Sequence, residues 1–92
     1  MSIRVEKKRE QEYEVTVEEG GTRTTHAVTV KPAVYERLTE GRISPDRLVE
    51  LSFEFLLARE PKESILRRFD LEVISQYFPE YERELRKRLS GQ

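Results

Sequence analysis

Only one side chain in this 92-residue sequence titrates near neutrality unaided: His26. To do chemistry it needs a nucleophile or a carboxylate within hydrogen-bond reach, and no Ser or Asp stands at a recognisable motif spacing from it. With zero Cys, the chain has no disulfides, thiolate zinc ligands or thiol nucleophiles; with one His, it has no imidazole pair for a metal or a charge relay. Asp70-Leu71-Glu72 and the Glu80, Glu82, Glu84 series put oxygen ligands close together in sequence. They lack the glycine turn and the ligand period of a calcium loop, and capping and a solvated helix face account for them. Gly20-Gly21 is not a phosphate loop, because Thr22-Arg23 follows where that motif has Lys-Ser/Thr opening a helix. A small hydrolase or metal-dependent enzyme could draw only on 18 acidic residues, among which nothing selects two. The expectation is a protein that is not an enzyme, with no catalytic, cofactor or metal residue and with His26 structural or edge-exposed.

The composition points the same way. Seventeen basic and 18 acidic residues leave a net charge of −1, so no strong field attracts nucleic acid non-specifically. Leu, Ile, Val and Phe number 25, enough apolar volume for the chain to fold despite 38% charged residues. A single small domain over 1–92 is expected, with a β part over 1–31 and a helical part over 32–92. No apolar run approaches the 18 or so residues of a membrane helix, and the start, Met1-Ser2-Ile3-Arg4-Val5, is unlike a signal peptide. Together with the absence of Cys, this suggests a cytoplasmic protein.

The elements that must position any site follow from hydrophobic periodicity. Two glycines can both take positive φ, as a two-residue type I′ turn requires, so Gly20-Gly21 closes a hairpin in which opposed residues sum to 41. Tyr13, Val15 and Val17 then share a face with Val28, His26 and Thr24, while Glu12, Glu14, Thr16 and Glu18 oppose Thr29, Ala27, Thr25 and Arg23 on the other; a one-residue slip would mix the two sets. Ile3 and Val5 share the parity of the apolar face, but Glu6–Glu12 is densely charged. This predicts an extension of the first strand, a frayed arm or a short third strand. After Pro32 the period becomes helical: a short helix over 33–40 stopped by Gly41, then a central helix over 45–59 capped by Ser44 with Pro45 in its first turn. Seven of the ten residues Leu48–Leu57 are Leu, Val or Phe, too many for a one-sided helix. Glu60-Pro61 breaks the pattern. A short helix over 61–69, another capped by Asp70, and a last one from Pro79 to about Leu89 complete the reading. The fold class expected is α+β, an antiparallel hairpin packed against three to four helices.

Phe53, Phe55, Phe69, Tyr77, Phe78 and Tyr81 all fall after residue 50 at helical spacing. They either fill the core or leave some rings exposed as a surface for a partner protein or a second copy of the chain. Residues Val28-Thr29-Val30-Lys31-Pro32-Ala33-Val34-Tyr35-Glu36-Arg37-Leu38, then Gly41, then Ser44-Pro45-Asp46-Arg47-Leu48-Val49-Glu50-Leu51, about a third of the chain, resemble the strand–helix–helix core of ribbon-helix-helix repressors and related antitoxins. The resemblance implies a strand paired with its twin across a dimer, with Ala27, Thr29 and Lys31 reaching into the major groove. The departures are a strand already partnered within the chain, a short first helix, and Glu12, Glu14 and Glu18 where phosphates would lie. The leading expectation is therefore a non-enzymatic interaction or regulatory module, homodimeric or bound to another protein; the alternative is a DNA-binding regulator of ribbon-helix-helix type.

Overall fold

Gly20 and Gly21 take φ of 63° and 81°, the two left-handed positions of a type I′ turn, and the hairpin they close has the expected register throughout, from Glu19 opposite Thr22 to Glu12 opposite Thr29. In the computed structural model, which describes residues 1–91, these strands are β2 (Glu12–Glu19) and β3 (Thr22–Thr29). The charged run before them is a full strand, β1 (Ser2–Arg9), antiparallel to β2 with Val5 opposite Val15 and a register shift between Lys7 and Arg9. Neither an extension of β2 nor a frayed arm forms here. Gln11, at φ 65°, lets the chain turn back, and the charges point outward, where Lys8 meets Glu6 and Glu14, and Arg9 meets Glu12.

Helices α1 (Pro32–Thr39) and α2 (Pro45–Leu57) start as expected, each with Pro in its first turn, and the Ser44 hydroxyl accepts the Arg47 N–H at 3.2 Å. Helix α1 ends at Thr39, two residues before Gly41, with Glu40 itself left-handed at φ 54°. Helix α2 stops at Leu57, short of Arg59, and buries Leu48, Val49, Leu51, Ser52, Phe53, Phe55 and Leu56 within this one chain.

The segment after Pro61 departs from the helical expectation. A single 3-10 turn (Lys62–Ser64) leads into an extended stretch and β4 (Arg68–Asp70), which lies parallel to β3 with Phe69 beside Val28. Ile65, Leu66 and Phe69 fit one helical turn by spacing. Tertiary pairing overrides that spacing: the Ala27 N–H donates to the Arg67 carbonyl and the Leu71 N–H to the Thr29 carbonyl. Asp70 is accordingly a strand residue whose carboxylate accepts the Glu72 N–H at 3.2 Å, a local turn ahead of α3 (Val73–Tyr77). Helix α4 (Tyr81–Ser90) follows Pro79.

The result is an α+β fold: a four-stranded mixed sheet in the order β1-β2-β3-β4, packed with four helices. The face carrying Tyr13, Val15, Val17, His26, Val28 and Phe69 is buried, while the other face carries Arg4, Glu6, Glu14, Thr16, Arg23 and Thr25 and is open. One continuous core joins the sheet to all four helices. Within it the Ser52 hydroxyl donates to the Leu48 carbonyl at 2.8 Å, so the 2.6 Å contact between Ser52 and Tyr81 has the phenol as donor. Burial holds that phenol well above its ordinary pKa, which keeps it protonated as the donor.

Candidate functional site

Pairing β4 with β3 leaves a hollow beyond the end of α2. Its floor is Leu56, Ile65, Phe69, Ile74 and Phe78, its rim includes Leu66, Val73 and Tyr77, and Glu60 and Ser64 are the polar groups at its edge. The volume is about 290 Å³, at the small end of ligand pockets and sufficient for one or two apolar side chains. Among the described residues, apart from Met1, the exposed large apolar ones are Tyr77, 67% exposed, and Leu66, 48% exposed, and both border this groove.

The wall at 62–67 is fixed by the hairpin rather than by its own secondary structure. Lys62 Nζ donates to the Thr22 hydroxyl and, at 2.7 Å, to Glu63; His26 Nδ1 lies 2.8 Å from the Leu66 carbonyl; and Ala27 N–H bonds the Arg67 carbonyl at 2.8 Å. A carbonyl can only accept, so Nδ1 carries the proton and Nε2 accepts from the Thr24 hydroxyl at 2.9 Å. Burial pushes the His26 pKa below its usual value; the bond to the Leu66 carbonyl opposes this and the nearby Arg67 adds to it. His26 is therefore a neutral, fully satisfied anchor for the groove wall.

Charged side chains bridge the elements of the opposite wall. Glu82 accepts from Arg37 at 2.6 Å and from the Ser75 hydroxyl at 3.1 Å, tying α4 to α1 and α3, and its carboxyl is held below the usual range chiefly by the Arg37 guanidinium. Arg59 bonds Glu80 at 3.1 Å and lies 3.6 Å over the Phe55 ring, whose far contacts are Phe78 and Tyr81.

Of the aromatic residues singled out by spacing, Phe53, Phe55 and Tyr81 are buried in the core, and Phe69 is buried as well but reaches the groove floor. Phe78 is half-buried and lines the groove together with one edge of Phe69. Of the exposed members, Tyr77 belongs to the aromatic series at helical spacing, whereas that series missed Leu66. The signal for Leu66 was its adjacency to Ile65 in what proves to be an extended stretch, where successive side chains point to opposite sides.

The residues of the ribbon-helix-helix resemblance are differently placed. Ala27 and Thr29 are half-buried on the open sheet face, in a strand hydrogen-bonded to β2 on one side and to β4 on the other. Lys31 pairs with Asp70 at 3.4 Å and Glu72 at 4.0 Å. The strand has no free edge at these positions to offer a twin, which removes the pairing that such a DNA reader requires. Among the described residues no three His, Asp or Glu side chains converge to hold a metal ion, and no helix is long and apolar enough to cross a membrane.

The fold and groove define a two-layer α+β domain with one open sheet face. Comparison with known proteins finds no matching family model, no similar curated protein and no similar solved structure.

Proposed function

We propose that this protein is a small non-enzymatic interaction module, working in the cytoplasm, whose α3–β4 groove receives an apolar side chain presented by a partner protein. One observation carries the reading: the exposed large apolar side chains Leu66 and Tyr77 sit together at the rim of a preformed apolar hollow. Exposed apolar groups grouped around a concavity mark interaction sites, and Tyr is among the side chains that dominate interface energies. A Cys-free chain suits a reducing compartment.

The test is a photo-crosslinking residue at position 66 in living source cells, with one at Arg23 on the open sheet face as control. A discrete adduct from position 66, lost when Tyr77→Asp is added, is the expected result. Equal labelling from both positions, or an adduct indifferent to Tyr77, would refute the groove as the docking site.

A further inference from the structure

We infer that the free edge of β1 is a self-recognition surface, along which two copies of this chain pair antiparallel about a two-fold axis at Val5 to form a continuous eight-stranded sheet. Parity fixes which groups the edge offers. The Val30 N–H donates to the Gln11 carbonyl, so odd residues of β2 turn their backbone groups to β3 and even ones to β1. Ser2, Arg4 and Glu6 oppose even residues of β2. The N–H and C=O groups of Ile3, Val5 and Lys7 therefore point away from the sheet, and β1 is its terminal strand.

Two copies can pair only with these odd residues facing one another, and charge selects among the available registers. Centred on Arg4 or on Glu6, the pairing sets like charges directly opposite, which is destabilising. Centred on Val5, Arg4 of each copy faces Glu6 of the other, Val5 faces Val5, and Lys7 faces Ile3. Arg4 and Glu6 are exposed on the open face, and Arg4 has no ion-pair partner within the described residues. On the inner side, a shallow, mainly polar hollow runs between β1 and the start of α2, bordered by Ile3, Val5, Asp46 and the Arg47–Glu50 ion pair at 2.6 Å. The incoming Lys7 enters there with its stem over Ile3 and its ammonium toward Asp46, since Glu50 is already taken by Arg47. Edge lysines usually discourage pairing. In this register every charge near the axis instead meets its opposite or an aliphatic side chain.

The surface lies apart from the α3–β4 groove, so the two ideas stand or fall separately. The experiment is sedimentation equilibrium over a concentration series for the wild type, Arg4→Glu, Glu6→Arg and the double charge swap. Two-fold symmetry places each change in the interface twice. Each single variant is expected to weaken the dimer roughly tenfold or more, and the swap to restore it. Circular dichroism checks that each variant is folded. A wild type monomeric throughout, a dimer blind to both single changes, a swap that fails to restore, or a dimer dissolved by Tyr77→Asp would each overturn the inference; the last would assign self-association to the groove.

Discussion

His26 shows how a residue that looks chemical can be structural. Both ring nitrogens are engaged, the Phe53 ring lies 5.3 Å away, and burial favours the neutral form. In the unfolded chain its pKa returns to the ordinary 6.5. Between that value and the lowered folded one, the unfolded state binds more protons, so acidification favours unfolding. The contribution of His26 is fully present above about pH 6.5 and is lost as the pH falls toward the folded pKa, where the curve levels. Urea midpoints measured from about pH 7 to pH 5.5, above most carboxylate titration, should fall for the wild type and stay flat for His26→Asn. Parallel declines in the two proteins would show that another group carries the dependence. The sequence placed His26 opposite Val15, but not against the Leu66 carbonyl 40 positions away. No local pattern encodes that contact.

At the scale of elements, β4 is where local propensity and tertiary structure disagree. Three residues cannot make a stable strand alone, and β4 exists because β3 supplies hydrogen bonds and Phe69 packs between Val28 and Phe53, 6.0 Å from the latter ring. Phe69→Ala should cost about 3–5 kcal/mol and release β4 from the sheet, flattening the groove. Hydrogen exchange reads this directly: the Ala27 and Leu71 amides should lose protection well before those of Val15 and Val17. Uniform loss across the sheet would mean that β4 unfolds only with the whole molecule. Elements built from short-range rules were legible: the Gly20-Gly21 hairpin, the Ser44 cap and the Pro-led starts of α1 and α2. Strand β1 was obscured by its charges, because outward alternation of Lys8, Arg9 and Glu6 looks like disorder until a partner strand fixes which side is out. The groove was obscured in turn, since its walls belong to segments whose type is decided by contacts far along the chain.

For the molecule as a whole, the question is whether one layer of helices over one face of the sheet behaves as a single cooperative unit. Helix α4 carries a narrow apolar stripe, Tyr81, Leu85 and Leu89, all buried, and it closes the core over α1 and α2. Its surface ties, Arg37 to Glu82 and Arg88 to Glu54 at 2.7 Å, are partly exposed ion pairs that add little. Its hold on the rest is thus mainly apolar, with the Tyr81 hydroxyl anchored on Ser52 at the centre of α2. Because α2 is buried nearly all round, nothing else can cover its outer side if α4 lifts, and the exposed apolar surface would leave the sheet without a stable partner layer. Leu85→Ala should therefore destabilise the entire chain by about 2–5 kcal/mol, a large part of the stability of so small a domain. It should do so in one transition, with far-UV circular dichroism, which follows the helices, and the exchange of Val15 and Val28 amides in the sheet reporting the same loss of free energy. If α4 melts first while the sheet amides keep wild-type protection, the helix is an appendage rather than a structural layer. The groove between α3 and β4 would then have a wall that moves independently of its floor.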